Sequence, residues 1–147
     1  MVTGLGAGHL PWMPGTWGSL EAILLVLGVH FFFPALEWIV LGSLVIFLIL
    51  VAFLFSGQII KPETDPDPSS VVIDEILGQI IYFLWVPVSI ISLLVGFLLF
   101  RIFDVVKPFP VRNCEKIPGM TGVILDDVVA SCYAVVVTRA LMWLVSQ

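Results

Sequence analysis

No charged residue falls between Trp38 and Ile60. At ~1.5 Å per residue a helix over this run is ~34 Å long, enough for the ~30 Å hydrocarbon core of a bilayer. This is the clearest spanning segment, and it points to an all-α protein, a small integral membrane helical bundle. Three further apolar runs flank it. Ala22 to Leu36 is short, with His30 and Pro34 near its end, and pairs with the long run as a hairpin whose tip lies near Phe33-Pro34-Ala35. Ile76 to Phe100 is uncharged but interrupted by Pro87. Val128 to Val145 carries Arg139.

Composition agrees. Of 147 residues, 60% are hydrophobic and 12% charged, against roughly 25% charged in a soluble domain. A soluble globule needs more polar residues than this to cover its surface. A soluble enzyme, a disordered chain and a nucleic-acid binder are therefore excluded, and the net charge of −5 argues against a nucleic-acid footprint too. The length suits a single domain over residues 1–147. Cys114 and Cys132 make no disulfide framework. Met1-Val2-Thr3-Gly4 lacks the basic and apolar regions of a cleaved signal peptide.

Polar stretches separate the runs: Gly4 to Ser19, Lys61 to Glu75, and Arg101 to Asp127. Of the six Lys and Arg residues, Arg101, Lys107, Arg112 and Lys116 fall in the last stretch. The positive-inside tendency places that loop in the cytoplasm. Acidic residues cluster at the ends of apolar runs. Asp65, Asp67, Asp74 and Glu75 precede the third run, Asp104 follows it, and Asp126-Asp127 open the fourth. Adjacent acids cap helix N-termini in many proteins, but that leaves three acidic sites in so apolar a chain unexplained. Carboxylates beside a membrane core are costly unless paired, solvated or bound to a cation, and hard oxygen ligands of this kind suit Mg²⁺.

The start, GLGAGHLPWMPGTWGSL, suggests a turn at Pro14-Gly15-Thr16, with Thr16 or Ser19 capping the helix that follows. Free N–H groups there offer an anion site; a loop closed against the membrane surface is the plainer alternative. No Gly-Lys-Ser/Thr follows, so this is not a Walker A motif. In FRIFDVVKPFPVR the cations Arg101, Lys107 and Arg112 surround Asp104, and Lys107-Pro108-Phe109-Pro110 reads as a stiff, extended segment. It can hold cations near the headgroups, either for a substrate or as a belt against anionic lipid. His9 lies in the glycine-rich stretch, and His30 reads as a buried, hydrogen-bonded histidine. Glu21 and Arg139 lie within helices near enough to their ends to snorkel.

Four blocks in this order resemble the bacterial phosphatidylglycerophosphatase A family. GLGAGHLPWMPGTWGSL is similar to its glycine-rich start leading to PGTxGS. DPSSVVIDEILGQ is similar to its D-x6-DE-x2-G block, matching Asp67, Asp74, Glu75 and Gly78. FRIFDVVKPFPVR is close to FRxxDxxKPxPIR, matching Arg101, Asp104, Lys107, Pro108, Pro110 and Arg112. GMTGVILDDVVAS resembles GGxGIMxDDxxAG. The blocks reach from about Gly4 to Ala130. Met120 and Ser131 stand where glycines are usual, and Glu21 has no counterpart.

The resemblance implies Mg²⁺-dependent hydrolysis of phosphatidylglycerophosphate to phosphatidylglycerol and phosphate. It implies a multi-pass protein of the bacterial inner membrane with its site at the cytoplasmic face. The catalytic set would be Asp74, Glu75, Asp104, Asp126 and Asp127, with Asp74, Glu75, Asp104 and Asp127 holding the metal. Thr16, Ser19, Arg101, Lys107 and Arg112 would bind substrate. A metal-activated water is the expected nucleophile, a phospho-aspartate on Asp74, Asp104, Asp126 or Asp127 the alternative. Two other classes compete: a transport or assembly subunit, whose acids would sit mid-span, and a CDP-alcohol phosphotransferase, whose acids pack into one stretch.

A shared site imposes a topology. Along one straight helix Glu75 and Asp104 would stand roughly 44 Å apart. Residues 76 to 100 are therefore expected to form a hairpin bent near Pro87, each half ~11–13 residues, with both ends at one face.

Overall fold

The computed structural model describes residues 14–59, 72–114 and 116–147, with backbone alone for 57–59. His9, Asp65, Asp67 and the glycine-rich stretch before Pro14 lie outside the described residues.

The described chain is all-helical: α1 (Pro14–Phe32), a 3-10 turn at Pro34–Leu36, α2 (Glu37–Ile59), α3 (Ile73–Trp85), α4 (Ile90–Val106), the short α5 (Val111–Cys114) and α6 (Met120–Val145). Among the described residues, Pro14–Phe32, Pro34–Ser56 and Met120–Val145 are long and apolar enough to cross a membrane. The outward surface of α2 carries Trp38, Ile39, Ile46, Phe47, Leu50, Phe53 and Leu54, all exposed. A surface of this chemistry suits lipid rather than water.

The α1–α2 hairpin turns at Phe33-Pro34-Ala35 as expected, and His30 bonds Glu37 across the turn, Nδ1 to Oε2, at 2.9 Å. His30 is exposed rather than buried, its side chain 47% accessible, because the turn carries it out of the bundle.

The third apolar run is broken where expected. Proline has no N–H to give and biases its predecessor away from helix; Val86, before Pro87, is extended and α3 ends at Trp85. Ser89 restarts the chain by capping α4, its side chain accepting from the Ser92 N–H while the Ser92 hydroxyl accepts from the Ser89 N–H. The arms are unequal. α3 has 13 residues, but α4 has 17 and runs on to Val106. Nothing stops it before Pro108, where Lys107 caps it in the left-handed region at φ 47°. Lys107-Pro108-Phe109-Pro110 is accordingly a cap followed by a turn, not an extended segment. The Tyr133 hydroxyl donates to the Phe109 carbonyl at 2.8 Å and pins that turn to α6.

α6 begins earlier than the apolar pattern suggests. Gly119, at φ 80°, takes a conformation that side chains rarely adopt and launches the helix at Met120. Asp126 and Asp127 therefore lie well inside α6 and do not open it. Met120, where the family pattern has glycine, is buried against Ile73, Leu77 and Ile124.

The principal helices alternate in direction. The starts of α1, α3 and α6 and the ends of α2 and α4 gather at one end of the bundle. The two hairpin turns gather at the other, where Arg139 donates to the Trp85 carbonyl. The core runs between them through Ala22, Val26, Ile76, Ile80, Tyr82, Phe83, Phe100, Ala130 and Ala134. Glycines set the closest approaches. A Cβ on Gly78 would stand 3.1 Å from the Asp127 carbonyl oxygen and strike the Phe100 ring, which brings α3 directly onto α6.

Candidate active site

Asp74 and Glu75 occupy the first turn of α3, where the helix dipole favours negative charge. Asp127 faces them from α6. Asp74, Glu75 and Asp127 each offer a carboxylate oxygen, and these atoms lie within 4.8 Å of one another. Asp74 and Asp127 are buried and Glu75 nearly so. Glu75 Oε2 and Asp127 Oδ2 are buried without a hydrogen-bond partner among the described residues.

One cation borders the triad and a second pairs with the neighbour of Asp127, each held by a further acid. Arg101 Nη1 lies 2.7 Å from Asp104 Oδ2 on the same turn of α4 and 3.9 Å from Glu75 Oε1 across the hairpin. Lys107 Nζ lies 2.9 Å from Asp126 Oδ2. The adjacent acids of α6 thus point apart, Asp127 into the triad and Asp126 to the lysine, as the ~100° rotation per helical residue requires. Burial pushes the Glu75 carboxyl above its ordinary range; a hydrogen bond with Asp74 opposes this, and the nearby Asp104 carboxylate adds to it.

α1 closes the site from the side. A Cβ on Gly15 would overlap Glu75 Oε1 and stand 2.9 Å from Arg101 Nη1, so the bare backbone of α1 passes directly over this pair. Thr16 and Ser19 do not cap α1. Both lie inside it, and the Ser19 hydroxyl donates back to the Gly15 carbonyl at 2.9 Å. Arg112 is exposed on α5.

The expected residues therefore sort into groups. Asp74, Glu75 and Asp127 form the triad, Arg101–Asp104 and Lys107–Asp126 flank it as ion pairs, Gly15 to Ser19 pack beside it, and Arg112 stands at the surface. Sequence reasoning read Gly15 as part of a turn before the helix and missed its approach to Glu75. It also gave no role to Gln79 and noted Ser131 only as standing where the family has glycine; both are fully buried. Their spacing was the available signal, since each follows a triad acid by one helical turn.

The donor set fits a divalent cation. Three carboxylates crowd one small buried volume, the neighbouring cations are engaged mainly with other acids, and oxygen-only ligands are those of Mg²⁺-type ions.

Comparison with known proteins agrees with the four blocks. The family model described as Phosphatidylglycerophosphatase A matches residues 1–142. A Haemophilus influenzae protein named Phosphatidylglycerophosphatase A is 37% identical, covering 97% of this chain and 87% of its own. The Escherichia coli K12 protein of the same name is 32% identical over 88% of this chain and 74% of its own. A Bacteroides thetaiotaomicron protein bearing the provisional name phosphatidylinositol-3-phosphatase is 33% identical over 97% of this chain and 92% of its own. No solved structure matches the chain. The chain belongs to the phosphatidylglycerophosphatase A family.

Proposed function

We propose that this protein hydrolyses the terminal phosphate monoester of phosphatidylglycerophosphate, releasing phosphatidylglycerol and phosphate, with Mg²⁺ as cofactor. The observation that carries this is the buried triad Asp74, Glu75 and Asp127, with carboxylate oxygens within 4.8 Å, Arg101 beside Glu75 and Lys107 paired with Asp126, the neighbour of Asp127 on α6. When bound to the triad, a divalent cation supplies charge that polarises the phosphoryl group and lowers the pKa of a water.

The chain's own groups do the rest. Arg101 and Lys107 bind and neutralise phosphoryl oxygens, more strongly as charge builds in the transition state. Asp104 and Asp126 hold those cations in position. Asp104, whose Oδ2 lies 2.7 Å from Arg101 Nη1, would join Asp74, Glu75 and Asp127 as the fourth carboxylate of the metal set. Thr16 and Ser19, on α1 with Gly15, and Arg112, at the surface, are assigned to headgroup binding, Ser19 through its hydrogen bond to the Gly15 carbonyl. The apolar helices leave the diacylglycerol moiety in lipid. The basic residues from Arg101 to Lys116 favour the cytoplasmic face of a bacterial inner membrane.

Asp74→Asn, Asp104→Asn and Asp127→Asn test this reading, since each keeps shape and removes charge. Each is expected to abolish turnover in a protein that still folds. Near-normal activity in two of the three would overturn the shared site.

A further inference from the structure

Gln79 and Ser131 lie one turn inward from the triad, Gln79 four residues after Glu75 on α3 and Ser131 four residues after Asp127 on α6. Residues spaced by four share a helix face about 6 Å apart along the axis, so both follow the stripe that presents the acids. Both are fully buried. Neither Gln79 Nε2, Gln79 Oε1 nor Ser131 Oγ has a hydrogen-bond partner among the described residues. The next polar pair inward, Tyr82 and Thr138, is satisfied: the Tyr82 hydroxyl donates to Thr138 Oγ1 at 3.0 Å.

An amide and a hydroxyl without partners in a bundle this apolar are costly to bury. A leucine and an alanine would fill the same space without that cost. Glu75 Oε2 and Asp127 Oδ2 are unpartnered as well among the described residues, and α3 packs on α6, so the four residues occupy successive turns of one helix–helix contact. A small molecule that both donates and accepts satisfies all of them, and water is the species of that size and chemistry.

We propose that Gln79 and Ser131 are positioning residues that form an inner tier of the acidic site, binding water shared with the Glu75 and Asp127 carboxylates and so setting its affinity for a divalent cation. The proposal rests on the triad being a cation site. Partners of this kind typically change metal affinity 10–100-fold when removed.

The test is Mn²⁺ binding to the purified full chain in detergent, followed by EPR and by water-proton relaxation. Wild-type protein should bind Mn²⁺, and Asp127→Asn should not. Gln79→Met and Ser131→Ala should each weaken binding about tenfold or more and lower the relaxation enhancement of the bound ion. Tyr82→Phe, which removes the satisfied pair beyond, should bind as wild type. If Gln79→Met fails to fold, Ser131→Ala decides, since it loses one oxygen atom. Wild-type affinity and relaxation in a folded Gln79→Met or Ser131→Ala protein would overturn the inner tier while leaving the triad standing. Absence of Mn²⁺ binding by wild type would overturn both.

Discussion

Glu75 and Arg101 stand at opposite ends of one uncharged run of 25 residues in the sequence, yet Glu75 Oε1 and Arg101 Nη1 lie 3.9 Å apart. The break at Val86-Pro87 returns α4 along α3 and brings both ends of the run to one end of the bundle. A straight helix would have put them across the membrane from one another and left the acids without a common site.

That topology has a labelling test. In a Cys114→Ser, Cys132→Ser background, single cysteines at positions 65 and 106, before α3 and at the end of α4, should react with an impermeant thiol reagent from the same side of sealed vesicles. Reaction from opposite sides would mean that α3 and α4 together cross the bilayer.

Gly15 offers a second prediction. In an ordinary helix Gly→Ala stabilises by roughly 0.5–1 kcal/mol. Here the added Cβ overlaps Glu75 Oε1 and crowds Arg101. Gly15→Ala should therefore lose most turnover with little loss of thermal stability, whereas Gly28→Ala, where a Cβ meets nothing within 4 Å, should keep full activity. Equal activity in the two variants would show that α1 does not shape the site.

The cations give a third. Arg101→Ala and Lys107→Ala should lower kcat by about 10²-fold or more, with a smaller change in KM, because their charges act on the transition state more than on the bound substrate. An effect confined to KM would make them headgroup anchors. Asp126→Asn should reproduce part of the Lys107→Ala loss, since it frees the lysine from its 2.9 Å partner.

Much of this was legible in the sequence because it is punctuated by charge and proline. The Phe33-Pro34-Ala35 turn, the break at Pro87 and the acids at the ends of apolar runs can all be read without coordinates. What could not be read depends on rotation and packing. Asp126 and Asp127 are neighbours in sequence, and only the earlier start of α6, set by Gly119, decides which faces α3. Ser19 looks like a cap until the helix is seen to extend back at least to Pro14. Gln79 attracts no notice by itself, and Ser131 only as a replacement of the family's glycine. They matter only once α3 and α6 run parallel in contact.

The pH dependence of metal binding follows from Glu75, whose carboxyl burial holds above its ordinary range. A cation must displace any proton there. Apparent Mg²⁺ affinity should therefore weaken as pH falls through that raised pKa, with Glu75→Gln reducing the dependence along with much of the affinity. The converse sign applies to the metal-free fold. A raised carboxyl pKa makes it more stable on the acid side, and that advantage is lost as pH rises through the raised value. Affinity that is flat with pH in isothermal titrations would remove Glu75 from the cation site.

The most direct test of the whole account is phosphate release from phosphatidylglycerophosphate by the purified protein, with EDTA and after Mg²⁺ is restored, beside phosphatidylinositol 3-phosphate at equal concentration. The account predicts release from phosphatidylglycerophosphate that stops with EDTA, returns with Mg²⁺, and exceeds release from the inositol lipid. Release that persists in EDTA, or that favours the inositol lipid, would contradict it.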